Sequence, residues 1–331
     1  MVTISVVIPT RNRKNSLFRL LTALDRQTYP LDEIIIVDSS DEPIPPEAFD
    51  GFICRSKIIY LESEPSVCIQ RNIGIARACS EFVLLCDDDI EIEASYTAML
   101  VDYLQSHPDA GAASGAVMQK QGSRWDDLFN VTSFVHLVFL FVFQLSIWGR
   151  VDSLSPPRIL APLYRFICRF YRKKGNTLSQ AGWPLVTQIE PVFVTTIYSL
   201  CGAIVRKSWL LNSPFEERLD PNGIGENYGV ELGFPNTPAV HVLRTQPIYH
   251  HKSPINRLST RSAYLKRSMA LHFFLCTHNH GFSLFTRIWF LWSLFGNLLW
   301  HLLTRNGHDA INSLKTLFLI VSRRNPYLRK R

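Results

Sequence analysis

Apolar positions in the first third of the chain follow two rhythms. Short runs with almost no polar member occur at 4–9 (ISVVIP), 33–38 (EIIIVD), 57–62 (KIIYLE) and 82–87 (FVLLCD). Such β-branched runs are expected of strands covered on both faces. Between them the apolar residues change to helical spacing. Leu17, Leu20, Leu21 and Leu24 mark one helix, SVCIQRNIGIARACS (66–80) a second and the stretch 93–105 a third, before a further strand, GAASGAVM, at 111–118. Strand and helix alternating in this way predict an α/β fold with a mostly parallel sheet and right-handed crossovers, flanked by helices. Ligands of such sheets sit beyond the carboxyl ends of the strands. Asp38 and the triplet Asp87, Asp88, Asp89 lie at two such ends.

The pattern then changes. The segment 128–148 (LFNVTSFVHLVFLFVFQLSIW) is apolar and aromatic, and basic, amphipathic RFICRFYRKKG (165–175) follows it. Its length would reach across a bilayer. However, YSLCGAIVRKSWL (198–210), FEERLDPNGIGENYGVELGF (215–234) and PAVHVL (238–243) read as the rest of the same sheet and site. A single span would place the two halves on opposite sides of a membrane, so the segment is expected to be re-entrant, interfacial or packed against the tail. LFTRIWFLWSLFGNLLWHLL (284–303) and LKTLFLIVSRR (314–324) continue the aromatic and basic theme. Trp interleaved with Arg and Lys suits a membrane interface, while the plainer reading is buried helix. The expected organisation is an α/β domain at 1–253 with an apolar and basic insert at about 125–180, then a helical, membrane-associated tail at 254–331.

Charge sharpens this division. The net charge is +7, yet the first third carries more acids than bases, whereas from Arg257 onward there are twelve Lys or Arg and one acid, Asp309. A basic tail could meet nucleic acid or an anionic membrane. The neighbouring apolar runs favour the membrane surface and argue against nucleic acid. Seven cysteines are scattered, without a CxxC pair. That fits a reducing compartment better than a disulfide framework or a zinc module. TISVVIP reads as a strand almost from Met1, so no signal peptide is expected, and the cytoplasmic face of the membrane is the expected location.

The triplet within EFVLLCDDDIEIE (81–93) raises the question of chemistry. Three like charges at the end of an apolar strand are costly unless solvent or a cation compensates. Side chains alternate along an extended chain, so Asp87 and Asp89 share a face and Asp88 does not. A divalent cation site and a solvated strand end are both compatible with the stretch. His250 and His251 (IYHHKSP) are open to two readings as well, completing a Mn²⁺ shell or lying in a loop near the pocket.

SVVIPTRNR, IIIVDSSDE, QRNIGIA, FVLLCDDDIEIE and FEERLDPNGIGENYGVEL occur in the order seen in family 2 glycosyltransferases of the GT-A fold, which the chain resembles over about 3–105 and 198–251. The resemblance implies a nucleotide-sugar donor, a divalent metal (Mn²⁺ or Mg²⁺) and inverting transfer to a hydroxyl of a lipid-linked or polysaccharide acceptor. It places Pro9, Thr10, Arg11, Asp38, Arg71, Asp87 and Asp88 on the donor. Asp89, with Asp87 and one of His250 or His251, falls on the metal. Gly202 matches a small-residue position near the acceptor, with plain strand packing as the other reading. VDSSD departs from the family, which more often has a second Asp and a Gly there. The family's catalytic base comes from a Glu-Asp pair, and here the matching residues are Glu226 and Asn227. Asn cannot take a proton, so Glu226 is the expected base, kept ionised by a helix N-terminus. Asp220 and Glu231 are the alternatives. The competing expectation is a protein that keeps nucleotide, metal and membrane binding but has lost transfer.

Overall fold

The structure, a computed structural model, describes residues 2–50, 55–129, 131, 133–219, 221–256 and 258–329. In chain order the elements are β1 (Ile4–Thr10), α1 (Lys14–Asp25), β2 (Glu33–Asp38), β3 (Lys57–Glu62), α2 (Val67–Arg77), β4 (Phe82–Cys86), β5 (Ile90–Ile92), α3 (Tyr96–Ser106), β6 (Ala112–Gln121) and β7 (Arg124–Asp126). There follow α4 (Phe134–Val142), β8 (Ile147–Trp148), α5 (Ala161–Lys174), β9 (Leu185–Val186), β10 (Val192–Thr195), β11 (Gly202–Arg206), α6 (Lys207–Asn212), α7 (Glu226–Leu232) and β12 (Val240–His250). Three helices end the chain: α8 (Thr260–Thr277), α9 (Leu284–Leu303) and α10 (Gly307–Val321). They form two compact units. The first takes in 1–127, 191–194 and 198–257, the second 128–190, 195–197 and 258–331.

The first unit is built on one large sheet with the order β10-β12-β6-β11-β4-β1-β2-β3, to which β5 adds beside β12 and β7 beside β6. The strands β3, β2, β1 and β4 are mutually parallel; the apolar runs of β1, β2 and β4 are buried as expected, whereas β3, at the edge of the sheet, is only half-buried. Leu17, Leu20, Leu21 and Leu24 pack the inner face of α1. Ser66 caps α2, its hydroxyl accepting from the Ile69 amide. The register sets Thr10 beside Asp38, so the ends of β1 and β2 meet at one edge with the end of β4.

The sheet is mixed, which corrects the expectation of a mostly parallel one. β11 runs antiparallel to both β4 and β6, while β5 and β7 run antiparallel to β12 and β6. The physical reason is plain: β11 is buried along nearly its whole length. A strand buried on both faces gives the same apolar run whichever way it points.

The second unit corrects the expectation of a membrane-associated helical tail. Among the described residues no helix is long and apolar enough to cross a membrane. The apolar run at 128–148 divides into the nine-residue α4 and the two-residue β8. Its side chains join Ile167 and Tyr171 of α5 and Leu185 of β9 in a core of their own. The tail folds into this unit rather than trailing from it, and α10 packs on α8 and α9. Trp183 Nε1 donates to Ser293 Oγ at 2.8 Å, and Trp292 Nε1 donates to the Val142 carbonyl at 2.9 Å. At Gly296 a Cβ would fall 2.3 Å from the Phe143 ring, so α9 approaches this core as only a glycine allows. No disulfide joins the six cysteines among the described residues, and Cys54 lies outside them.

Candidate metal centre and donor site

β4 ends at Cys86, and Asp87, Asp88 and Asp89 follow directly, the last two in a turn leading into β5 that sends the carboxylates to different partners. Asp87, Asp89 and His250 each offer a ligand atom, all within 4.8 Å of one another. His250, the last residue of β12, reaches the triplet because β12 pairs antiparallel with β5, which begins directly after it. Its Nε2 lies 3.1 Å from Asp89 Oδ1. The Ser253 amide donates to Asp89 Oδ2 at 2.8 Å. Burial would raise the Asp89 carboxyl, but His250, the Ser253 amide and Arg13 outweigh it and hold it well below the usual carboxylate range. Two carboxylates and one imidazole, with at least one acid firmly ionised, form a donor set that suits a divalent cation. His251 is not part of it; its Nε2 pairs with Glu91 Oε2 at 2.8 Å.

Asp88 turns the other way. It accepts from Thr10 Oγ1 at 2.7 Å and from Arg13 Nη1 at 2.9 Å. Burial pushes its carboxyl up to about 6, against the pull of Arg13 and Thr10. Arg13 also donates to the Ile255 carbonyl and lies 3.6 Å from Asp89. Sequence reading passed over Arg13, because nothing in RNRK distinguishes it from its basic neighbours.

Beside the cation cluster lies a buried charge relay. Arg71 on α2 donates to Asp87 at 2.7 Å and to Glu226 at 2.8 Å, and is only 3% exposed. Its guanidinium also sits 5.0 Å from the centre of the Phe215 ring. Burial alone would depress its basicity, but the two carboxylates more than compensate and hold it protonated. Glu226 opens α7. Burial raises its carboxyl and Arg71 opposes the rise, the net direction being upward. The expectation that a helix N-terminus governs its charge therefore gives way to burial set against an ion pair.

The other residues named from sequence fall into place as follows. Asp38, at the end of β2, is 1% exposed and accepts from the Ser40 amide at 2.8 Å, the Ser40 hydroxyl at 2.5 Å and the Tyr60 hydroxyl at 2.7 Å. Gln70 Nε2 donates to the Thr10 and Val37 carbonyls, clamping the strand ends on which Pro9, Thr10 and Asp38 sit. Ser40, Tyr60 and Gln70 were missed, although Tyr60 stands out as a polar-tipped residue in an otherwise apolar strand. Arg11 pairs with Asp41 at 3.1 Å on the more exposed rim. At Gly202 a Cβ would lie 2.7 Å from Ile248 Cδ1, which supplies the strand-packing reason for a small residue. Glu231 is fully buried, and both its oxygens accept from the Tyr198 amide at 3.0 and 3.1 Å. Asn227 has a buried Oδ1 with no hydrogen-bond partner among the described residues. Asp220 lies outside the described residues.

Comparisons with known proteins agree with this picture. The chain is 31% identical over 126 residues to the uncharacterised glycosyltransferase YwdF of Bacillus subtilis, a match over 37% of this chain and 46% of that protein. It is 27% identical over 132 residues to glycosyltransferase GlyG of Streptococcus pneumoniae, covering 39% and 44%. It thus spans less than half the length of these curated relatives. The crystal structure of S. aureus TarS 1-349 superposes over 97% of this chain and 91% of that one, with a TM-score of 0.50 and 13% identity, a likeness of fold. The mixed sheet is accordingly a GT-A-like fold with a candidate Asp/Asp/His cation site at the end of β4. The model of glycosyl transferase family 2 matches residues 5–172, just over half of the chain, and the chain belongs to that family.

Proposed function

We propose that the protein transfers a sugar, with inversion, from a nucleotide-diphosphate sugar to a hydroxyl of a saccharide acceptor, either a polysaccharide or a lipid-linked glycan. The observation that carries this reading is the convergence of Asp87, Asp89 and His250 beside the buried Arg71–Glu226 pair. When bound, a divalent cation would take up charge on the leaving diphosphate. The imidazole in the set favours Mn²⁺ over Mg²⁺, which prefers oxygen ligands. Arg71 adds a fixed positive charge that needs no reorganisation as the leaving group forms. Glu226, with its carboxyl raised by burial against the pull of Arg71, is suited to accept the acceptor's hydroxyl proton as the new C–O bond forms and the bond to the diphosphate breaks. Asp38 with Ser40 and Tyr60, and the strand ends at Pro9, Thr10 and Arg11, form the nucleotide side of the site. Glu231 is committed to the Tyr198 amide and serves the fold.

Access to a lipid-linked acceptor at the cytoplasmic face of a membrane belongs to the same reading. Its support is α5, where exposed Leu163 and Phe166 accompany Arg165, Arg169, Arg172, Lys173 and Lys174. Such a helix can lie on an anionic surface. Co-sedimentation with phosphatidylglycerol vesicles, but not with phosphatidylcholine vesicles, is the expected behaviour.

A second reading, nucleotide and metal binding without transfer, is favoured by Asn227 at the family's base position and by the ion pair that occupies Glu226. Incubation with radiolabelled UDP-, GDP- and dTDP-sugars, Mn²⁺ and a membrane extract separates the two. Label incorporated into lipid or polysaccharide establishes transfer; binding without incorporation or hydrolysis establishes the second reading.

A further inference from the structure

The first unit contains a cavity of about 470 Å³ that the donor site does not use. One wall is a stripe of α1 that carries Arg19 and Ala23 and is continued by Arg26, the residue that caps the helix C-terminus. Facing it is the stretch from Asp89 to Ala94, which presents Glu91 and Glu93. Tyr249 and His251 of the β12 end close the third side. Asp89 lines the groove and also belongs to the candidate cation cluster, so the two adjoin. The volume lies within the ~300–1,000 Å³ usual for small-molecule sites.

The chemistry of the walls is specific. Arg19 and the capping Arg26 stand seven residues apart, roughly 10 Å along the direction of the helix axis. Glu91 and Glu93 alternate onto one side of the chain, roughly 7 Å apart. These bases and acids face a common space, yet no ion pair joins the two walls among the described residues. Arg19 instead donates to Ser16 at 3.2 Å, and Glu91 holds His251 at 2.8 Å. The Trp125 ring stands edge-on to Tyr249 and His251, with centroids 5.3 and 5.5 Å away. A ligand seated here would meet forked donors on one side, carboxylate acceptors on the other and aromatic surface at the end. With charges of both signs lining the groove, a polyanion gains no advantage. A polyhydroxylated neutral molecule satisfies both walls, because each sugar hydroxyl donates and accepts.

We infer that this groove binds a neutral saccharide unit of the acceptor and leads it to the cation site, an inference that rests on the proposed transfer to a saccharide. The test uses saturation-transfer NMR on the full chain with three neutral probes, maltotriose, chitotriose and xylotriose, and with inorganic polyphosphate as the anionic alternative. Wild type is expected to transfer saturation to at least one trisaccharide. Ala23→Trp, which fills the groove from a half-exposed helix position, is expected to weaken that ligand at least tenfold. Arg19→Ala, at an exposed position, is expected to weaken it several-fold and guards against misfolding of the bulkier variant. Silence with all three trisaccharides, unchanged binding in both variants, or polyphosphate binding that the variants abolish would each overturn the inference. Titration of wild type with UDP, GDP and dTDP in Mn²⁺ is run alongside. Saccharide binding without nucleotide binding would sink the transfer reading while leaving the groove, and the reverse would sink the groove alone.

Discussion

At the scale of single residues, the site is a set of acids whose neighbours divide their roles. Asp89 is held ionised by His250, the Ser253 amide and Arg13, whereas Asp88, one residue away, is pushed up to about 6 by burial. Alternation along an extended chain set Asp88 apart from Asp87 and Asp89 on paper, but the split itself comes from a turn, since Asp88 and Asp89 lie between the end of β4 and the start of β5. The position of Arg71 was legible from QRNIG, but its double pairing was not, because Asp87 and Glu226 are 16 and 155 residues from it. Contacts of that separation follow from topology, which a local pattern does not contain. Glu226→Gln is expected to keep Mn²⁺-dependent nucleotide binding and to lower turnover by the ~10²–10⁴-fold typical of a general base. A steady-state assay of sugar transfer checks it. Turnover unchanged in the Gln variant would assign Glu226 to holding Arg71 and move the base to another residue. Asn227→Asp is the companion experiment. The Oδ1 of Asn227 has no hydrogen-bond partner among the described residues, so a carboxylate there loses no bond at that oxygen. If the position faces the acceptor, the Asp variant matches or exceeds wild-type turnover.

At the scale of elements, helices and strands were legible where apolar period and length agreed, as in β1 to β4 and in α1, α2 and α3. Reading failed where one pattern serves two environments. Trp and Phe interleaved with Arg describe an interfacial helix, but equally an aromatic core whose indole N–H groups find partners inside the protein. Trp183 and Trp292 take the second course. The junction of α8 with the turn at Asn325 gives a test of that packing. Asn325 Oδ1 accepts from the Tyr327 amide, so its Nδ2 faces the Met269 carbonyl and His272 Nδ1. An amide nitrogen only donates, so Nδ1 must accept and the ring must be neutral. Burial, with Arg287 adding to it, pushes His272 down to about 4. The unfolded chain therefore takes up this proton near pH 6.5 and the folded chain only near 4. The stability gained by keeping the ring neutral is complete above about 6.5 and is lost as pH falls toward 4, at a scale of ~1.4 kcal/mol per unit. Thermal unfolding between pH 7 and 4.5 should show a fall in midpoint that His272→Gln makes shallower. Identical slopes in the two proteins would mean that His272 is not the titrating group.

At the scale of the whole molecule, the α/β class and the order of site motifs were legible, but the direction of β11 and the second unit were not. Both depend on segments that return after long excursions. The second unit draws on 128–190 and 258–331, and its core exists only when α4, α5 and α9 are brought together. Neither segment carries a sheet rhythm, so packing of the insert against the tail stood only as one alternative beside a membrane surface, and the local pattern could not choose between them. The cation site is assembled the same way, from β4 and a histidine more than 150 residues later on β12. That arrangement makes metal binding a probe of the fold of the first unit, since no short segment contains the ligand set. A ligand that binds only the folded chain raises stability by RT ln(1 + [L]/Kd), about 2.7 kcal/mol at a hundredfold excess over Kd. Thermal unfolding with Mn²⁺ and a panel of nucleotide sugars should therefore show a rise in midpoint for the cognate donor, reversed by EDTA. Asp89→Ala should abolish the metal-dependent part, since it removes the carboxylate held most firmly ionised. His250→Ala should weaken it, and His251→Ala, whose ring is paired with Glu91 outside the cluster, should leave it intact. An equal loss in the two histidine variants would remove His250 from the ligand set. A midpoint shift indifferent to EDTA would show that the nucleotide is held by Arg71 and the strand ends alone.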